Sequence, residues 1–288
     1  MGAEPRAGGL RSALRELAAL DAVDLALRLT LLDMLLRPVG GRGVRSLLLG
    51  LAAAGLLLPG WLRSPALWLA LAALCGLRVA LDWPLGDNHA YLLVYWCLAA
   101  AIALAAGQAR AILAANARLL VGLAFAFATL WKVFLSPDFL DGTFMRVTLV
   151  HDRRMEGAAR VAAGLAPEDL GALRARVERH ADVSLGAPPA PPAPARLGRV
   201  ADAATWWTAA LEAAAAAAFL WPGRSTAALR DPLLLLFCVT TYAVAPVQGF
   251  GWLLLALGVA QCPARGELRL AYLGAFGLVI LYGALVPR

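Results

Sequence analysis

The sequence predicts an all-α fold, a polytopic integral membrane bundle of about six to eight transmembrane helices with an interfacial N-terminal helix and a polar insertion. Three observations lead there. Of 288 residues, 61% are hydrophobic and only 16% are charged, and the mean hydropathy is +0.71, outside the range of soluble globular domains. Several apolar stretches are long enough to cross a hydrocarbon core about 30 Å thick, which takes roughly twenty helical residues. Once they are set aside, the one long polar segment is 136–200, so the chain reads as a single transmembrane domain over 1–288.

Taken in order, the N-terminal stretch MGAEPRAGGLRSALREL lacks a short apolar core followed by a small-residue cleavage site, so the first spanning helix is expected to direct insertion. Residues 10–37 follow a helical pattern interrupted by Asp21, Asp24, Arg28 and Asp33. That much charge predicts a helix lying in the interface, with Asp24 and Arg28 paired at i,i+4 on one face with Asp21. A span packed inside the bundle is the alternative. Clearer spans follow at 46–62, 65–84, 89–107 and 111–135, joined by connections short enough to force antiparallel neighbours.

Residues 136–200 hold nine arginines and eight acids. Within them APEDLGALRARVERH opens on Pro167 and two acids and closes on basic residues, the pattern of a short amphipathic helix, expected on the membrane surface. GAPPAPPAPAR, after it, predicts a stiff polyproline II tether. A further span covers 201–221, with Glu212 near its middle. Residues 232–261 would make one helix of roughly 45 Å at 1.5 Å per residue, longer than the core is thick, and they contain Pro246, Gly249 and Gly251. Either a broken helix or two segments is expected there, before a last span at 268–285.

The net charge of +7 comes from arginines placed between apolar segments, not on one basic soluble face, which argues against nucleic acid as a partner and for a lipid bilayer. The four cysteines and three histidines have no metal-ligand spacing, so no metal is expected and the cysteines read as packing residues.

Ionisable groups inside apolar helices are costly, and they pair, face the bundle interior or line a functional cavity. Here they are Arg78, Arg118, Glu212 and Lys132, with Asp82, Asp87, Asn88 and His89 at the mouth of one span. Mutual pairing of Arg78, Arg118 and Glu212 is one expectation. Lys132 is the only lysine among 26 basic residues. A desolvated amine can serve as a base near neutral pH, whereas a guanidinium stays protonated. The plainer role is a lysine that anchors a helix end. Since 89–107 and 111–135 form a hairpin, His89 at the start and Lys132 at the end fall on one membrane face, and helices 8 to 10 Å apart would bring both into one pocket.

Two of these stretches carry a resemblance. DNHAYLLVYWCL, residues 87–98, resembles the asparagine-histidine motif that opens a membrane helix in vitamin K-dependent gamma-carboxylase. RLLVGLAFAFATLWKVFLSPDFLDG, residues 118–142, is similar to the helix of that enzyme that runs from an arginine to the catalytic lysine, then into a short acidic-aromatic loop and a glycine. The bacterial relatives of this membrane part are the horizontally transferred transmembrane (HTTM) domain proteins. The resemblance implies a multi-pass protein of a bacterial cytoplasmic membrane. It implies catalytic roles for Lys132, as the base toward a vitamin K-like hydroquinone, and for His89 and Asn88, with Asp138, Phe139, Asp141 and Gly142 matching the loop. No large β-rich domain is expected after the membrane part, so carboxylation of a protein substrate is not implied.

The expected function is therefore an enzyme acting on a quinol or another lipid-soluble small molecule, with a quinone or hydroquinone as the cofactor. The alternatives are a non-catalytic membrane scaffold or lipid-binding subunit, or a small-solute transporter, suggested by Pro246 and by Glu212 at depth. Arginine counting puts the lysine face in the cytoplasm if the N-terminal helix is interfacial, and the resemblance puts it outside.

Overall fold

The computed structural model describes residues 12, 16–17, 19–37, 40–84, 87–181, 194–244, 248–262 and 266–285. In chain order its helices are α1 (Ala22–Leu36), α2 (Arg42–Leu57), α3 (Pro65–Leu81), α4 (Asn88–Ala105) and α5 (Ala109–Leu130), which runs on through a π turn at Trp131–Leu135. Then come α6 (Pro137–Leu140), α7 (Thr143–His151), α8 (Glu156–Ala163), α9 (Pro167–Ala181), α10 (Ala195–Leu220), α11 (Arg224–Val244), α12 (Gln248–Gln261) and α13 (Gly266–Leu285). No strand occurs among the described residues.

Two short helices form the middle of the bundle. In α12 every residue from Gly251 to Ala260 is buried, and α1 buries Ala22, Leu27, Leu31 and Met34 among others. At roughly 21 to 23 Å each, they are shorter than the hydrocarbon core, and a helix that is apolar all round belongs inside a bundle. They pack against each other, while α5 flanks α12 and α2 flanks α1.

This corrects the expectation of an interfacial N-terminal helix. Three of the four charges that argued for it, Asp21, Asp24 and Asp33, are gathered at the helix ends. Asp21 caps α1 by accepting from the Val23 and Asp24 amides at 3.0 and 3.3 Å. Asp24 pairs with Arg63 at 2.6 Å and not with Arg28, which is exposed. Asp33 pairs with Arg37 in the last turn at 3.4 Å. In the middle of the helix Arg28 points outward, and the one buried polar side chain is Thr30, which donates to the Ala26 carbonyl at 2.9 Å and accepts from the Trp96 indole at 2.9 Å.

Around this pair stand α3, α4, α5, α10, α11 and α13. Asn88–Ala105, Ala109–Leu135 and Ala195–Leu220 are long and apolar enough to cross a membrane. The segment 232–261 resolves into two helices, α11 and α12; Pro246 lies outside the described residues. The cysteines Cys75, Cys97, Cys238 and Cys262 are free and buried.

The polar insertion is more than a surface helix. Met145, Leu149, Met155, Ala159, Leu170, Leu197 and Ala201 form a second apolar cluster, so α7, α8, α9 and the first turns of α10 fold around a small core of their own. The part of the proline-rich tether at 182–193 lies outside the described residues.

Candidate functional site

The start of α4, the end of α1, the end of α5 and the start of α12 meet at one end of the bundle, here termed the lysine end. Lys132 reaches the interior from the π turn. An α-helical turn carried past Leu130 places a side chain every 100°; the wider turn takes an extra residue and re-aims the side chains around it. Trp131, Val133, Phe134 and Leu135 are exposed, whereas the Lys132 side chain keeps only 14% of its surface.

Its ammonium donates to both oxygens of Glu212, at 2.8 Å to Oε1 and 2.6 Å to Oε2. The Glu212 side chain is 7% exposed. Nζ also stands 5.2 Å from the centre of the buried Phe139 ring, a cation–π contact from the loop that follows the π turn. That loop is shaped by Ser136, which donates to Asp138 at 2.7 Å, and by Asp141, which accepts from the Thr143 amide at 2.8 Å and so starts α7. Gly142 sits at φ +77°, the left-handed region that favours glycine, and a side chain there would collide with Asp202.

His89 has a different partner. Its Nε2 lies 3.1 Å from Arg37 Nη1. Because a guanidinium has no acceptor, Nε2 must accept, which leaves the ring neutral with its proton on Nδ1. The Arg37 side chain also reaches Asp33 and lies across the backbone of Gly249 at the start of α12, where an added Cβ would fall inside the guanidinium. Asp87 comes within 3.8 Å of the same Nε2. Asn88 is exposed in the first turn of α4.

Lys132 and His89 thus lie at the same end, as the hairpin requires, yet no hydrogen bond joins Lys132 to His89 or Asn88 among the described residues. Tyr242 is buried on α11. The mutual pairing expected for Arg78, Arg118 and Glu212 does not form. Arg78 pairs with Asp82 at 3.0 Å, one turn along its own helix, and Arg118 is exposed.

Sequence reasoning passed over the Lys132–Glu212 pair, although its signal was present: a lone lysine and a lone deep acid on two apolar helices are complementary charges. Arg37, at the end of the 10–37 helical pattern, was not singled out either. Two buried hydroxyls lie on the same two helices, Thr129 three residues before Lys132 and Thr205 seven before Glu212. Neither hydroxyl has a hydrogen-bond partner among the described residues, nor has the Trp252 indole. Buried polar groups are nearly always paired, and an orphan asks for a water, an ion or a ligand.

Compared with known proteins, the chain matches no family model, no curated protein and no solved structure.

Proposed function

We propose that this chain is a multi-pass membrane protein of the HTTM type, crossing the bilayer about six to eight times, that takes a lipid-soluble molecule with a weakly acidic hydroxyl, of the quinol class, at its lysine end. Support for the membrane reading comes from three long apolar helices and from exposed tryptophans at both ends of the bundle. Trp61 and Trp221 mark the far end and Trp83, Trp131, Trp206 and Trp207 the lysine end, as aromatic belts do at the two interfaces.

The observation that carries the site is the buried Lys132–Glu212 pair. Paired as an ammonium with a carboxylate, Lys132 has no lone pair, so it does not act as a base by itself. In the proposed step a substrate hydroxyl replaces one of the two contacts. Lys132 passes an N–H proton to Glu212 while taking the hydroxyl proton. Glu212 ends as a carboxylic acid, and the substrate oxyanion ends paired with the Lys132 ammonium. Excluding water strengthens that pairing. In this reading neutral His89, held by Arg37, and exposed Asn88 line the approach.

Mass spectrometry of lipids co-purifying with the detergent-extracted protein tests this. A hydroxyaromatic prenyl lipid enriched with the wild-type protein and lost from Glu212→Gln would support it. No such enrichment over the surrounding membrane lipid would favour a second reading, a non-catalytic scaffold in which the pair only ties α5 to α10. One observation favours that reading: two open clefts among the described residues lie along the insertion, and neither is lined by Lys132, Glu212, His89 or Arg37.

A further inference from the structure

The larger of those clefts, about 520 Å³, lies between the end of α7 and α9 and is lined by Thr148, His151, Asp152, Arg153, Arg154 and Arg174, with Val147 at its edge. Its volume falls within the range of small-molecule sites. Three guanidiniums and an imidazole face it against one carboxylate, an excess of positive charge in a concave wall. Two of the guanidiniums are held in place by the protein. Arg154 donates from Nε and Nη2 to Asp152 at 3.0 and 2.6 Å. Arg174 donates from Nε to the Val150 carbonyl at 3.1 Å and from Nη2 to Glu156 at 3.4 Å. In both, the Nη1 group takes part in none of these bonds, so each keeps donors for a further acceptor. Arg153 is exposed and makes no ion pair among the described residues.

The position of the cleft adds to this. The cleft belongs to the insertion that follows the Lys132 turn, and Arg154 lies within electrostatic reach of Asp87, the residue that precedes α4. Exposed Trp83, shortly before that helix, marks the level of the interface.

We propose that the Arg153–Arg154–Arg174 cleft binds a phosphate group, either on an anionic phospholipid headgroup or on a soluble phosphate ester. A preorganised planar guanidinium matches the geometry of phosphate oxygens, and lysine, which binds phosphate as a point charge, is absent from the cleft. A hydroxyl at Thr148 and an imidazole at His151 supply further donors. A lipid source requires the membrane embedding proposed for the chain; a soluble source does not, so the two ideas fail separately.

The test uses the full chain in nanodiscs. In discs of phosphatidylcholine doped with phosphatidylglycerol, native mass spectrometry would count retained phosphatidylglycerol for the wild type, Arg153→Gln and the double variant Arg153→Gln/Arg174→Gln. Arg160→Gln, an exposed arginine outside this cleft, serves as the charge-matched control. In discs of phosphatidylcholine alone, inorganic phosphate would be titrated by calorimetry against the same set. A headgroup site predicts retention at least tenfold lower in the double variant, clearly lower in Arg153→Gln and unchanged in Arg160→Gln. A soluble-ester site predicts the same order for phosphate, without lipid enrichment. If Arg160→Gln lowers both readings as much as Arg153→Gln does, or if neither reading changes in Arg153→Gln, the cleft is only part of a general positive surface and the proposal is overturned. Because Arg153 makes no ion pair of its own, its variant keeps the test valid should loss of Arg174 unfold α9.

Discussion

Two ion pairs tie the chain around the end of α5 to α10, and they sit in different media. Lys132 and Glu212 meet at 2.6 Å with 14% and 7% of their side chains exposed. Arg146 and Asp202 meet at 3.5 Å with 34% and 54% exposed. The two acids lie about 15 Å apart along one helix at 1.5 Å per residue. Opposite charges are paired in both cases, but Coulomb attraction at the same separation differs severalfold between an apolar interior and a wet surface. The inner pair is therefore a fixed point of the bundle, and the outer one is a contact that solvent and salt can replace. Asp202 can approach the α6–α7 turn at all because Gly142 has no side chain.

The largest expected effect is on the inner pair. Lys132→Met leaves the Glu212 carboxylate buried and alone, at a cost of about 3–5 kcal/mol. Lys132→Met/Glu212→Met should recover most of that loss, since two well-packed apolar chains can replace a buried pair. Thermal midpoints of the extracted proteins would read both effects, and a double variant no better than the single one would break the contrast between the two pairs.

Next comes the Arg37 group, a second buried polar cluster that depends on a glycine. Gly249→Ala drives a methyl group into the guanidinium and is expected to cost about 1–3 kcal/mol as an overpacked contact. It should also release His89 from Arg37, which 15N chemical shifts of the imidazole would report as loss of the single Nδ1–H tautomer. An unchanged tautomer would separate His89 from Arg37.

A single neutral hydrogen bond in the core should matter less. Trp96→Phe removes the indole donor to Thr30, and Thr30 keeps its bond to the Ala26 carbonyl. About 1 kcal/mol is expected.

The outer pair should be weaker still. Arg146→Gln is expected to cost less than about 1 kcal/mol, and less again as salt is raised. A loss as large as that of Lys132→Met would erase the distinction drawn here.

The smallest effect concerns pH and the insertion. Arg154 hydrogen bonds hold the Asp152 carboxyl below its ordinary range. A carboxylate lowered in the folded state contributes stability above its unfolded value of about 4, and that contribution is lost as pH falls through the lower folded value. Protection from hydrogen exchange across 150–163, taken relative to the intrinsic rate at each pH, should therefore fall below about pH 4 in the wild type and lack that extra step in Asp152→Asn.

The all-helical bundle was legible in the sequence because apolar length and period are local properties. The short antiparallel connections were legible for the same reason, and they put His89 and Lys132 at one end. What the sequence hid was set by packing between distant segments. The charges of residues 21–33 read as a sign of an interfacial helix because nothing local shows that Arg63, at 2.6 Å from Asp24, would neutralise them. Glu212 and Lys132 were each noticed, but eighty positions separate them, and the π turn that aims Lys132 at Glu212 leaves no mark in composition. The second core of the insertion was missed because its apolar residues, such as Leu149, Ala159, Leu170 and Leu197, are spread thinly over four helices.

The central claim is that Lys132 and Glu212 form one charge-paired unit inside the bundle. The most direct measurement is a charge exchange, comparing Lys132→Glu, Glu212→Lys and the combined Lys132→Glu/Glu212→Lys protein by thermal midpoint and by monodispersity after extraction. Each single reversal places two like charges together in an apolar site and should prevent the protein from being recovered as a folded monodisperse species. The exchanged protein should regain the fold, with a midpoint near the wild type. If the exchanged protein is no more stable than the single reversals, or if the single reversals are tolerated, the two side chains do not form the buried pair described here.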